Sequence, residues 1–132
     1  MPQLAKGGKW VYGWAVVGPG GEVTIPPEAQ RGYGFRAGDE VILLPTSRRS
    51  GGFGISTLGL LVGDAERLGA EERVLGQGWI GADERVTVPP EVGVWPGDRL
   101  LAVPGSRYAL SFLARGPIYE EALKHLELEV FE

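Results

Sequence analysis

The chain has 132 residues, a length typical of one compact domain or of two half-domains that share a core. Its 22 glycines and 10 prolines favour short strands and turns over long helices. It has no cysteine, which excludes disulfides, thiolate metal sites and cysteine nucleophiles. The net charge of −4 is uneven, because residues 1–57 carry six basic and four acidic residues (net +2) and residues 58–132 carry seven and thirteen (net −6). Only the first part is therefore expected to attract a polyanion.

The N-terminal region resembles a signal peptide in one respect, since the basic residues Lys6 and Lys9 precede the apolar run 10–17. The run is short and no small-residue cleavage site follows it, so we expect no secretion signal. No apolar stretch approaches the roughly 18 residues that a membrane-spanning helix needs. Together with the absence of cysteine, this predicts a cytoplasmic protein without membrane contact.

The first part of the chain is predicted to form short strands and one small helix. Hydrophobic alternation and buried apolar runs place strands at 10–17, 22–25, 41–44 and 53–57. Gly18–Gly21 has the composition of a turn. Pro26 ends the second strand and Pro27 begins a helix over 27–31, with Gly32 or Gly34 as its stop.

Residues 58–74 are predicted to be an acidic linker that connects two similar units. Beyond it, strands are expected near residue 79 and at 85–88, 99–103 and 108–114. The tail, residues 116–132, is predicted to contain a helix that begins at Gly116-Pro117 and a final strand at 128–131. The helix would carry an apolar stripe of Ile118, Ala122 and Leu126.

The two units are an internal duplication, with residues 1–57 as the first repeat and 75–115 as the second. Val23–Glu28 (VTIPPE) returns as Val86–Glu91 (VTVPPE), and Gly38–Pro45 returns as Gly97–Pro104. The offsets are 63 and 59, so the second repeat lacks four residues, about one helical turn. Upstream, Gly13-Trp14 would match Gly78-Trp79 if the first hairpin loop is two residues longer. Each repeat is expected to be too small to bury its own apolar face, which predicts one shared core.

The repeated pattern resembles the AbrB/MazE/SpoVT family of swapped-hairpin DNA-binding domains. It consists of strand, glycine turn, strand, Ile/Val-Pro-x-Glu, short helix and x-x-Gly-Asp before an apolar strand, as in Gly21–Glu28 and Gly34–Asp39. The resemblance implies a swapped-hairpin β-barrel. With both repeats on one chain, it implies an intrachain pseudo-dimer, although interleaving between two chains of a homodimer stays open. It also implies a DNA-binding transcriptional regulator. The sequence contains no catalytic set, no Cys/His cluster and no acidic loop with calcium-ligand spacing, so we expect neither enzymatic activity nor a cofactor.

The resemblance gives the basic residues a role in contacting phosphates. The DNA-binding candidates are Lys9, Arg31, Arg36 and Arg85, with Arg48 and Arg49 as an outlying pair. At the outward position after the turn glycine, the first repeat has Glu22 where the second has Arg85. The second repeat also lacks the helical turn that carries basic residues, so we expect weak, one-sided binding to double-stranded DNA.

Other readings of the same residues remain open. The barrel could serve as a protein- or ligand-interaction module. Alternatively, the chain could be an antitoxin whose barrel binds DNA and whose tail binds a toxin protein. The only histidine, His125, is interpreted as a surface residue, and Glu28 and Glu91 as helix-start carboxylates rather than an acid–base pair. Trp14 and Trp79 are predicted to share the core, whereas for Trp10 and Trp95, which have no such pairing, an exposed interaction surface stays open as an alternative.

Overall fold

The computed structural model describes residues 10–46, 48–61, 74–106 and 108–132. Within them the chain is mostly β, as the composition predicts. The strands are β1 Gly13–Val16, β2 Glu22–Thr24, β3 Glu40–Pro45, β4 Phe53–Ser56, β5 Gly76–Trp79, β6 Arg85–Thr87, β7 Arg99–Pro104, β8 Leu110–Leu113 and β9 Val130–Phe131. The helices are α1 Pro27–Tyr33, α2 Leu58–Leu61, a 3₁₀ turn Pro90–Val92, and α3 Pro117–Ala122. The greater part of the predicted linker, residues 62–73, lies outside the described residues.

Seven strands form one sheet in the order β5-β3-β4-β8-β7-β1-β9, and β2 and β6 form a separate two-stranded ribbon. The repeats do not close on themselves. The first strand of each repeat pairs with the third strand of the other, β1 with β7 and β5 with β3. The second strands pair with each other, as do the fourth strands. The apolar faces of the two repeats are therefore buried against each other, as the shared-core prediction requires.

The pairing follows an internal twofold symmetry. Val23 lies opposite Val86, its counterpart at an offset of 63 (86 minus 23), and Phe53 lies opposite Phe112 at an offset of 59 (112 minus 53). The two phenylalanine rings stack with centroids 5.0 Å apart. A residue that lies opposite its own counterpart is next to the symmetry axis, so the axis passes between the two partners of each of these pairs.

The main core contains equivalent residues from both repeats. Val23, Ile25, Val86 and Val88 are all buried in one cluster, as predicted. Trp14 is also buried, but it belongs to a second cluster on the outer face of the sheet. There the centroid of its ring lies 5.1 Å from that of Tyr119 in a T-shaped arrangement, so α3 covers the ring. The tail thus packs on its own sheet and provides the apolar cover for β1 and β7.

The prediction that Trp79 shares the core with Trp14 is wrong, because Trp79 is 63% exposed. Gly13 pairs with Ala102 and Gly76 pairs with Leu43, so the offset is 63 in the first strands (76 minus 13) as well as in the hairpins. The two hairpin loops are equally long. Trp79 is consequently the counterpart of Val16, and the counterpart of Trp14 is Gln77.

The tail helix begins where the sequence predicts, but it ends at Ala122. The predicted apolar stripe is therefore wrong at Leu126, which is 95% exposed, whereas Leu128 is buried beside Trp14. β9 then runs parallel to β1, with Val130 opposite Trp14. None of the described helices has the length and apolar character to cross a membrane.

Candidate nucleic-acid interface

Helix α1 presents Arg31 on an outward face. Pro27 occupies the first turn, where its missing N–H leaves no hydrogen bond unmade, and Gly34 ends the helix in the left-handed conformation with φ 74°. Ala29 and Phe35 are buried and fix one side of this segment in the main core. Arg31 is exposed on the other side. The helix is thus a rigid support for a basic side chain.

The end of α1 is further held by Tyr33. Its hydroxyl donates to the carbonyl oxygens of Ser106 (2.7 Å) and Ala109 (3.0 Å) in the second repeat, and its ring stacks on Phe35. Burial, with a smaller effect of Tyr12, raises the pKa of Tyr33 to about 12. The hydroxyl therefore remains a hydrogen-bond donor throughout the physiological pH range.

Arg36 lies in a tight turn that joins α1 to β3. Its N–H donates to Asp39 Oδ2 at 3.0 Å, and the Asp39 N–H returns to the Arg36 carbonyl oxygen at 3.0 Å. The Gly38 N–H donates to the Ile80 carbonyl oxygen at 2.6 Å, which ties the turn to the second repeat. The backbone of Arg36 is fixed while its side chain is exposed.

The second repeat builds the same turn around a different side chain. The Trp95 N–H donates to Asp98 Oδ2 at 2.9 Å, and the Asp98 N–H to the Trp95 carbonyl oxygen at 3.0 Å. Trp95, the counterpart of Arg36 at an offset of 59 (95 minus 36), is 64% exposed. Arg31 has no counterpart, because the 3₁₀ turn Pro90–Val92 replaces the helix. At these two positions, which the pseudo-twofold relates, the first repeat therefore has an arginine and the second a tryptophan.

Arg85 lies in β6, opposite Thr24 in the two-stranded ribbon. Its guanidinium Nη2 donates to the Glu132 carbonyl oxygen at 2.9 Å, so the tail engages part of this side chain. The preceding residue, Glu84, accepts a hydrogen bond of 3.1 Å from Gln30 of α1. Through this hydrogen bond α1 and the β5–β6 hairpin are neighbours.

Arg48 and Arg49 lie apart from the α1 residues, at the far end of β3. The six residues of β3 separate them from Arg36 by about 17 Å along the strand. Both are exposed in the loop that joins β3 to β4. Lys9 lies outside the described residues. The sequence candidates therefore divide into Arg31 and Arg36 around α1, Arg85 beside the tail, and the Arg48-Arg49 loop.

The Arg48-Arg49 loop contains a partner that sequence analysis missed. Arg115 Nη2 donates to the Arg48 carbonyl oxygen at 2.7 Å, and the Ser50 carbonyl oxygen accepts from the backbone N–H groups of Ala114 and Arg115, both at 2.9 Å. The pairing of β4 with β8 brings the end of β8 beside this loop. That pairing joins residues far apart in sequence, so no local signal could have found it.

The described residues offer little for other chemistry. They contain no group of three or more His, Asp or Glu side chains arranged to hold a metal ion. His125 lies in the tail, with Nδ1 2.7 Å from Glu127 Oε1 and Nε2 3.5 Å from Glu121 Oε1. No family model matches the chain, and no curated protein or solved structure matches it significantly.

Proposed function

We propose that this chain is a DNA-binding transcriptional regulator of the AbrB/SpoVT type, built as an intrachain pseudo-dimer whose two hairpin units interleave in a swapped-hairpin barrel. The observation that carries the proposal is the pairing between repeats. β1 pairs with β7 and β5 with β3, while the second and the fourth strands pair about one axis. This exchange of strands is the arrangement that the resembled family makes from two chains.

The proposed DNA contact is formed by α1 and the turn that follows it. Arg31 and Arg36 are exposed on a backbone that helix capping, the Asp39 turn and the Tyr33 hydrogen bonds hold in place. Basic side chains on a fixed backbone contact phosphates without the additional entropy cost of ordering that backbone, and such contacts set the orientation of the protein on the duplex. Since Trp95 replaces arginine in the second repeat, the contact is one-sided and weak.

The test is a fluorescence-anisotropy titration of the full chain against labelled duplexes over a range of salt concentrations. With about four phosphates neutralised, log K is expected to fall against log salt with a slope of about −3.6. Changing Arg31 and Arg36 together to alanine is expected to flatten the slope by about two units. The double change Arg48→Ala and Arg49→Ala alters the net charge equally at the other end of β3. Equal effects of the two pairs would show that only overall charge matters, contrary to the proposed site.

A second candidate function is an interaction module that kept the interleaved repeats and recognises a protein. The observation that favours it is the exposed tryptophan in the turn of the second repeat, since exposed aromatic residues often anchor protein interfaces. The acidic second half would discourage DNA there. Absence of DNA binding even at about 50 mM salt would favour this second function.

A further inference from the structure

Three arginines lie together where the β3–β4 loop meets the end of β8, and we call them the arginine cluster. Arg48 and Arg49 are exposed in the loop, and Arg115 is exposed just after β8. Arg115 Nη2 donates to the Arg48 carbonyl oxygen at 2.7 Å, and the Arg115 backbone N–H donates to the Ser50 carbonyl oxygen at 2.9 Å. Two distant parts of the sequence therefore place three positive charges on one small surface.

The arginine cluster belongs to a part of the chain that has no acidic residues. Residues 41–63 and 99–119, which contain the β3–β4 and β7–β8 hairpins, include no Asp or Glu, although the whole chain has 17. The first acidic residue after Arg115 is Glu120 on α3. Within the described residues, neither Glu120 nor any other carboxylate forms an ion pair with the cluster. The three guanidinium groups thus form an uncompensated basic site in a chain of net charge −4.

The guanidinium group of Arg115 is held close to the loop backbone. A side-chain carbon placed on Gly51 would lie 2.7 Å from Arg115 Nη1, and the φ of Gly51 is 62°. Any other residue at this position would strain the backbone and push the guanidinium group away. The hydrogen bond to Arg48 uses one N–H of the group, and no described residue accepts from the others. Because neighbouring positive charges repel each other, an anion between them would stabilise this arrangement.

We propose that the arginine cluster binds a compact anion with two or more phosphoryl groups. The planar fork of a guanidinium group matches the oxygens of phosphate and of carboxylate. A single carboxylate has only one negative charge and two acceptor oxygens, too few for three guanidinium groups. A diphosphate or triphosphate group has enough of both. Such a group occurs as an inorganic anion or as part of a nucleotide, and the chemistry that the cluster recognises is the same.

The proposed anion site is separate from the α1 surface that is proposed to contact DNA. The six residues of β3 place about 17 Å between the loop and Arg36. A compact ligand at the cluster therefore does not reach Arg31 or Arg36, and the inference does not depend on DNA binding. The phosphates of a duplex are spread along its backbone, so the cluster is expected to favour a compact polyphosphate over duplex DNA.

Isothermal titration calorimetry of the full chain with sodium pyrophosphate in low-salt buffer tests the proposal. One anion is expected to bind per chain. Arg115→Ala should weaken binding by about tenfold or more, the effect of losing a hydrogen bond between charged groups. The double change Arg48→Ala and Arg49→Ala should weaken it at least as much. Arg31→Ala with Arg36→Ala is the matched control, because it removes two positive charges from the α1 surface and should leave the affinity nearly unchanged.

Two further measurements sharpen the test. Circular dichroism shows whether Arg115→Ala folds, and if it does not, the two exposed loop positions carry the test. Arg115→Lys keeps the charge but not the fork, so it should bind pyrophosphate less tightly than the parent chain. Titrations with inorganic triphosphate and with adenosine triphosphate then distinguish the sources of the anion. Tighter binding of the nucleotide would assign the site to nucleotides, and equal binding would assign it to the polyphosphate group alone.

Three outcomes would overturn the proposal. The first is a parent chain that does not bind pyrophosphate even at about 10 mM, well above the range of a specific site. The second is binding that persists in the folded cluster variants. The third is an equal loss in the Arg31 and Arg36 control, which would mean that the anion responds to overall charge. Duplex titration measures the proposed DNA contact separately, so either proposal can fail while the other stands.

Discussion

At the scale of single residues, the two repeats form the same hairpin turn with different amino acids. The turn residue before β2 is Gly21, with φ 81°, and its counterpart before β6 is Glu84, with φ 64°. Both conformations are left-handed, and glycine adopts them without the steric cost that a side chain imposes. The backbone contacts are also equivalent, since Ile25 N–H donates to Glu84 O and Val88 N–H donates to Gly21 O. The backbone of Glu84 is consequently strained, although its hydrogen bonds are equivalent to those of Gly21.

Replacing Glu84 by glycine is expected to stabilise the protein by about 0.5–1 kcal/mol, because relief of left-handed strain exceeds the added freedom of the unfolded chain. Chemical denaturation measures the change. Glu84→Ala removes the same hydrogen bond from Gln30 but retains the strain, so it should give no such gain. The reciprocal change, Gly21→Ala, is expected to destabilise by about 1 kcal/mol or more. Destabilisation by Glu84→Gly would show that the carboxylate contact with Gln30 outweighs the strain.

The sequence predicted the position of most strands but not every residue equivalence. A hairpin loop two residues longer moves a strand residue by two positions, and two positions preserve the face of a strand. Hydrophobic alternation therefore could not distinguish Trp79 as the match of Trp14 from Trp79 as the match of Val16. The strand pairs in the structure show that Trp79 is the match of Val16. Likewise, Arg115 lies beside Arg48 only because β4 pairs with β8, and the distribution of charges along the sequence does not show which strands pair.

At the scale of secondary structure elements, the tail is a single covering unit made of α3, a turn and β9. α3 packs Ala122 beside Trp14, and the Tyr119 hydroxyl donates to the Arg99 carbonyl oxygen at 3.0 Å. The Arg99 guanidinium lies 5.2 Å from the Trp14 ring centroid, close enough for a cation–π interaction. The sequence predicted the start of this helix from Gly116-Pro117. It could not predict the early end, because the apolar spacing continued to Leu126, beyond Ala122, the last residue of the helix.

The turn between α3 and β9 contains the histidine pairing, which makes the tail sensitive to pH. The hydrogen bond with Glu127, and to a smaller extent that with Glu121, raises the pKa of His125 above its usual value. A raised folded-state pKa means that the stabilisation is complete below the unfolded value of about 6.5 and is lost as pH rises through the folded value. We expect His125→Gln to loosen the tail at pH 6 more than at pH 8.5. The protection factor of the Trp14 amide, which donates to Glu129, measures this.

A control for the histidine prediction is Lys124→Gln, which removes the neighbouring cation that pairs with Glu121 at 3.3 Å. Its effect on Trp14 protection should not differ between the two pH values in the way that the histidine variant does. An NMR titration of the His125 ring gives the pKa directly. A value at or below that of an unstructured histidine would contradict the prediction.

At the scale of the whole molecule, strand pairing between the two repeats joins them in one folding unit. Each of the four described strands of the first repeat has a partner in the second repeat, and both repeats contribute residues to the main core. This organisation was predictable from the duplication, because each repeat alone lacks the apolar cover for its own strands. Neither half can unfold without exposing the core of the other.

The last prediction follows from that shared core. Ile25→Ala, at a buried position of the first repeat, is expected to lower the free energy of unfolding by about 2–4 kcal/mol. Because strands of the two repeats pair with each other, the loss should appear equally in the hydrogen exchange of β3 and of β7, under conditions where both exchange by global unfolding. Calorimetry should show one transition in both the parent and the variant. Val88→Ala, at the counterpart position in the second repeat, should affect both strands in the same way. A selective effect of each substitution on its own repeat, or two separate transitions, would mean that the repeats are independent units and that their strand pairs contribute little to cooperativity.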